Sequence, residues 1–180
     1  MDSGHRRTLV LGGARSGKSA HAEGLLDADG PVDYLATARR DPADVEWSAR
    51  IATHVARRPD HWRTVEVPAA GDLPAHLRAA RPDAPPALVD DIATWLTGAL
   101  DDTGWDRATP PTRAKADLVD AVAACPARLV LVSAEVGLGV IPATSAGRLF
   151  RDELGALNAA LAEHCDEVLL LVAGIPLRLR

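Results

Sequence analysis

Short apolar runs alternate with stretches of helical spacing along the whole chain. The runs are Thr8–Leu11, Val32–Thr37, Trp62–Val67, Ala87–Asp91, Ala127–Ser133 and Val168–Ala173. Most are continuous rather than alternating in polarity, as expected for strands buried on both faces. Helical patterns lie between them, over Ser19–Leu26, Val45–Arg57, Pro68–Arg81, Ile92–Leu100, Thr112–Ala124 and Ser145–His164. Asp41 and Pro42 offer an N-cap and a first-turn proline to the second of these, which stops before Pro59. In the last, Phe150, Leu154, Leu157 and Leu161 fall at i, i+4, i+7 and i+11, one buried stripe. Arg148, Arg151, Gly155 and Asn158 are placed on its opposite face, for surface salt bridging or for a substrate or subunit contact. Gly174–Arg180 alternates and reads as an edge strand. The alternation predicts an α/β fold: a mostly parallel sheet with helices on both faces and an antiparallel edge strand at the C-terminus.

The turn after the first run has a composition of its own. Gly12-Gly13-Ala14-Arg15-Ser16-Gly17-Lys18-Ser19 matches G-x-x-x-x-G-K-[ST], between a strand and a helix. In that context the backbone N–H groups cradle phosphates, Lys18 reaches the β/γ-phosphates, and the Ser19 hydroxyl is a ligand for Mg²⁺. Lys18 is one of only two lysines, the other being Lys115. Ligands of such sheets sit beyond the carboxyl ends of the strands. Reading those ends adds Ala36-Thr37-Ala38, Asp90-Asp91 and Glu135-Val136-Gly137 to the candidate site. Asp90 closes an apolar strand, where a P-loop enzyme keeps the carboxylate that supports Mg²⁺. Its alternative is an N-cap for the segment beginning at Ile92; Asp91 is expected to point the other way.

Composition narrows the partners. The chain's 180 residues suit one domain spanning 1–180. A net charge of −5 leaves no basic footprint for nucleic acid or an anionic membrane surface. No apolar run approaches the roughly 20 residues that span a bilayer. Met1–Arg7 leads straight into the first strand without a signal-peptide pattern, so a cytoplasmic location is expected. Cys125 and Cys165 lack metal-ligand spacing and read as buried, reduced thiols.

His54 follows Trp47 and Ile51 at i, i+4 and i+7, and so extends an apolar helix face. Alone it reads as a packed histidine, and Arg57 and Arg58 as a solvated helix end. The ordered series of motifs changes that. The phosphate loop is joined by Tyr34-Leu35-Ala36-Thr37-Ala38, Arg50-Ile51 with His54, Arg58-Pro59 and Trp62, and Leu88-Val89-Asp90. Glu135-Val136-Gly137-Leu138-Gly139-Val140-Ile141-Pro142 and Phe150-Arg151-Asp152 with Gly155 and Asn158 follow. Over nearly its whole length the chain resembles the bifunctional adenosylcobinamide kinase/adenosylcobinamide-phosphate guanylyltransferase family of cobalamin biosynthesis.

The resemblance implies a RecA-like P-loop fold carrying two reactions. One phosphorylates the aminopropanol hydroxyl of adenosylcobinamide with ATP or GTP. The other moves GMP from GTP onto that phosphate through a GMP-histidine, which matches His54. The implied GTP contacts are Gly12, Gly13, Ala14, Arg15, Ser16, Gly17, Lys18 and Ser19, then Ala36, Thr37, Ala38, Val55, Ala56, Arg57, Arg58, Glu66 and Asp90, with Mg²⁺ at Ser19 and Asp90. A homo-oligomer, a trimer, is implied as well. Ala134, Ala159 and Asp91 stand where the family usually has Asn, Gln and Cys; these departures concern corrinoid or subunit contacts. The rival readings are a P-loop kinase for another small metabolite and a nucleotide-binding switch without catalysis.

Overall fold

The computed structural model describes residues 7–39 and 59–180. In chain order they form β1 (Arg7–Gly12), α1 (Lys18–Gly24), β2 (Asp33–Ala36), β3 (Arg63–Glu66), α2 (Asp72–Ala79) and β4 (Ala87–Asp90). These are followed by α3 (Ile92–Asp102), α4 (Thr112–Ala124), β5 (Leu129–Ala134), α5 (Ser145–Glu163), β6 (Glu167–Val172) and β7 (Ile175–Arg178). The helix expected over Val45–Arg57 lies outside the described residues.

The strands make one sheet in the order β3-β2-β4-β5-β1-β6-β7, all parallel except β7, which returns antiparallel along β6. The expected α/β architecture is therefore observed. Alternation of side chains along each strand divides the apolar residues between the faces. Leu9, Leu11, Leu35, Val89, Leu129 and Leu131 join the leucines of α2 to α5 in one core. Val10, Tyr34, Leu88, Val130 and Val132 face the other way, onto Ala22 and Leu26 around α1 and onto Trp62. Helices thus cover both faces, and no polar row is left on the central strands.

Three expectations need correction. Val168–Ala173 is not buried throughout: Val172 is 59% exposed and Ala173 turns in a left-handed conformation at φ 51. The strand runs past the helical cover before it reverses. Phe150 is only half-buried, tilted against Trp105 with ring centroids 6.4 Å apart. Asn158 is not on a surface face; it is 5% exposed. It lies four residues after Leu154 and three before Leu161, hence on their side of the helix. Its Nδ2 donates to the Ala134 carbonyl at 3.0 Å, and its Oδ1 accepts from Ser133 Oγ at 2.7 Å. A buried amide is tolerable there because both its ends are bonded.

Candidate active site

Parallel strands bring their carboxyl ends to one edge, and register sets the level of each residue. Gly12 is level with Ala134, and Ala36 is flanked by Asp90 on one side and Glu66 on the other. One strand, β5, separates β1 from β4. Gly12–Ser19, Ala36–Ala38 and Asp90 therefore occupy the same edge, as the strand ends in the sequence lead one to expect, and Glu66, implied by the resemblance alone, stands beside them. His54 and Val55, Ala56, Arg57 and Arg58 lie outside the described residues.

The loop from Gly13 to Gly17 owes its shape to close packing. A Cβ on Gly12 would sit 2.3 Å from Ser16 Oγ and 3.1 Å from the Leu171 carbonyl, so only glycine lets the loop fold back on β1. Arg15 (φ 57) and Gly17 (φ 87) are both left-handed. Such alternating backbones gather N–H groups into anion-binding concavities. Ser16 N donates to the Gly13 carbonyl at 3.3 Å, and the turn after β6 braces the loop, Gly174 N donating to the Ser16 carbonyl at 3.0 Å. Glu135 N donates to the Gly12 carbonyl at 3.1 Å. Lys18 Nζ lies 3.5 Å from the Gly13 carbonyl, arched over the loop.

Ser19 and Asp90 meet across the sheet: the Ser19 hydroxyl donates to Asp90 Oδ1 at 3.3 Å. Asp90 Oδ2 accepts from the Tyr34 hydroxyl at 2.5 Å. A hydroxyl and a carboxylate are hard oxygen donors suited to Mg²⁺, which typically takes one or two protein ligands alongside phosphate oxygens. The residues present therefore fit that ion. Asp91 has another task, as the N-cap of α3: its Oδ1 accepts from Thr94 N at 2.7 Å. The capping role open to Asp90 thus falls to its neighbour. Burial, then the adjacent Asp90 charge, pushes the Asp91 carboxyl up from its ordinary range. Thr37 is buried and its hydroxyl donates to the Asp91 carbonyl at 2.8 Å, tying β2 to the start of α3.

The glycine-punctuated segment after β5 is braced at its base. Gly137 N donates to Glu135 Oε1 at 2.6 Å, Arg151 donates to the Gly137 carbonyl at 2.8 Å, and Arg148 to the Pro142 and Ala143 carbonyls at 3.0 and 2.7 Å. Both arginines hold backbone here. Tyr34 stands in the motif series with no role that the sequence alone assigns. The signal was the phenol itself, since a hydroxyl in an apolar strand must find a partner.

Sheet order, glycine turn and the Ser19–Asp90 pair together define a P-loop nucleotide-binding protein of the α/β class. The chain matches the family described as cobinamide kinase / cobinamide phosphate guanyltransferase (CobU) over residues 8–179, and it belongs to that family. It is 44% identical over 180 residues to the bifunctional adenosylcobalamin biosynthesis protein CobP of Pseudomonas aeruginosa, covering 97% of each. The bifunctional adenosylcobalamin biosynthesis protein CobU of Salmonella typhimurium is 40% identical over 182 residues, and that of Escherichia coli K12 38%, each covering 96% of this chain and 98% of the relative. Among solved structures, the type III secretion ATPase EscN of enteropathogenic E. coli superposes with a TM-score of 0.54 at 12% identity, over 94% of this chain and 43% of the ATPase. A second type III secretion ATPase superposes equally well at 11% identity, over 93% of this chain and 51% of its own. These two bear on the fold alone.

Proposed function

We propose that this protein phosphorylates adenosylcobinamide with ATP or GTP and then transfers GMP from GTP to adenosylcobinamide phosphate, giving adenosylcobinamide-GDP. Membership of the kinase and guanyltransferase family supports it, and so does the braced phosphate loop facing Asp90. In the kinase step the substrate hydroxyl oxygen bonds to the γ-phosphorus, the bond to the β-phosphate oxygen breaks and releases the nucleoside diphosphate, and the hydroxyl proton passes to solvent. In the transferase step the neutral His54 imidazole attacks the α-phosphorus and pyrophosphate departs. An oxygen of the corrinoid phosphate then displaces the histidine nitrogen. The attack uses the lone pair of the unprotonated ring nitrogen.

Lys18 and the loop N–H groups grip the β/γ-phosphates, and so offset charge growing on whichever group leaves. Mg²⁺ held by Ser19 and Asp90 supplies further neutralisation of phosphate charge when bound. Ala36 and Glu66, level with Asp90 at the strand ends, and Thr37 and Ala38 just beyond them are assigned to the nucleoside side of the site together with Val55 and Ala56. Arg57 and Arg58 are assigned to the α-phosphate or the substrate phosphate. Splitting guanylyl transfer through His54 lets one nucleophile meet GTP first and the corrinoid second.

We extend the proposal to a homo-oligomer acting in the cytoplasm without nucleic acid, with 1–180 as one domain. Val172, Ile175, Leu177 and Leu179 line the exposed edge formed by β6 and β7, each more than half exposed, an apolar row of the kind that partners cover. Among the described residues no helix is long and apolar enough to cross a membrane.

Separate assays of corrinoid phosphorylation and of guanylyl transfer test the function. His54→Ala loses the second and keeps at least part of the first, whereas Lys18→Ala damages both. Full guanylyl transfer by Lys18→Ala contradicts the shared cradle, and ATP turnover without any GMP transfer by the parent protein leaves only a kinase.

A further inference from the structure

We propose that Tyr34 is a positioning residue for the Asp90 carboxylate: it holds Oδ2 so that Oδ1 stays turned to Ser19, ready for the cation that accompanies the nucleotide. The inference rests on Ser19 and Asp90 being the cation's protein ligands.

The geometry is specific. Tyr34 is 2% exposed, and its hydroxyl donates to Asp90 Oδ2 at 2.5 Å, the length of a charge-assisted O–H···O⁻ bond. Parallel register sets Tyr34 level with Leu88, two residues before Asp90 on the same face of β4. That diagonal is within reach of aromatic and other long side chains. Asp90 ends its strand, where an aspartate χ2 is broad and the carboxylate is otherwise free to turn. Ser19 alone anchors it weakly, since that bond is 3.3 Å long and its donor sits on the phosphate loop's helix. The phenol instead belongs to the sheet interior, packed with Val10, Leu88 and Val132. Supports of this kind fix a metal-side ligand before the metal arrives.

Tyr34 is the sole tyrosine of the chain, which makes it its own reporter. Full-length protein carrying 3-fluorotyrosine is followed by ¹⁹F NMR with a non-hydrolysable GTP analogue, first in EDTA and then with Mg²⁺ added. The single resonance should move with Mg²⁺, and Asp90→Asn should abolish the movement. In parallel, Mn²⁺ binding to the analogue complex is titrated by EPR for the parent, Tyr34→Phe and Asp90→Asn. Tyr34→Phe should weaken Mn²⁺ binding roughly 10-fold, at the low end of what outer partners of a metal site cost. Affinity for the analogue in EDTA should not change. The Mg²⁺ concentration for half-maximal turnover should rise by a similar factor, while KM for GTP at saturating Mg²⁺ stays put.

Parental Mn²⁺ affinity in Tyr34→Phe, or a fluorotyrosine resonance indifferent to Mg²⁺, overturns the proposal. If Tyr34→Phe does not fold, the labelled parent decides alone. Parental Mn²⁺ affinity in Asp90→Asn overturns it differently, by removing Asp90 from the metal site altogether.

Discussion

The Ser19 hydroxyl donates to Asp90 Oδ1 across 3.3 Å, joining the phosphate loop's helix to a strand two positions away in the sheet. This contact ties the first motif of the chain to a carboxylate 71 residues later. If the pair supports the cation of a bound nucleotide, Asp90→Ala should lower both phosphoryl and guanylyl transfer by roughly 100-fold, as loss of a metal-site partner does. Nucleotide should still bind in EDTA. Steady-state assays across Mg²⁺ concentrations check this, and unchanged activity at limiting Mg²⁺ removes Asp90 from the site.

Gly12 and Ser16 pack too closely for any side chain at residue 12. Gly12→Ala puts a methyl 2.3 Å from Ser16 Oγ and 3.1 Å from the Leu171 carbonyl. Overpacking of this order costs about 1–3 kcal/mol, and here it also pushes the phosphate loop off β1. Urea unfolding should register the loss, with nucleotide affinity falling in step. Adding Ser16→Ala should recover part of the stability, because the carbonyl remains in the way. A parental midpoint for Gly12→Ala contradicts the packing.

Asn158, Ser133 and the Ala134 carbonyl form a bonded chain inside the protein, beside the strand that carries the phosphate loop. Asn158→Leu keeps the bulk but leaves the Ser133 hydroxyl and the Ala134 carbonyl unpaired, at about 1–3 kcal/mol for a buried polar group left unsatisfied. Combining it with Ser133→Ala should cost less than the sum of the single changes, a coupling that a double-mutant cycle by chemical denaturation measures. Additive losses mean the two side chains act independently.

Both cysteines are buried, and no disulfide joins them. Burial disfavours the thiolate and pushes the Cys165 thiol up to about 12. At pH 8 the folded protein should therefore leave Cys165 unmodified by a disulfide reagent, with both thiols reacting once denaturant is added. Rapid labelling of Cys165 in the native protein contradicts its burial.

What the sequence made legible was local. Gly12–Ser19 joins its strand directly to its helix, so loop and function class could be read together. The buried runs of β4 and β5 announced a parallel sheet because they lack polar alternation. Pairing order was not legible: β5 stands between β1 and β4 through contacts between residues far apart in the chain. The partner of Tyr34 was hidden for that reason, although the need for one was not. Asn158 looks like a polar-face residue by type, yet its spacing from Leu154 and Leu161 puts it inside. The choice between Asp90 and Asp91 as cap and site carboxylate hung on which side chain faces Thr94, and adjacent aspartates look alike in sequence. His54 was named through resemblance, since its own helix pattern favours a packed residue.

The most direct test is to incubate the purified protein with GTP and Mg²⁺, without corrinoid, and to measure intact mass followed by peptide mapping. A protein heavier by one GMP, with the adduct on His54 and absent from His54→Ala, is the predicted result. An adduct on another residue, or none while GTP is still bound, contradicts guanylyl transfer through His54.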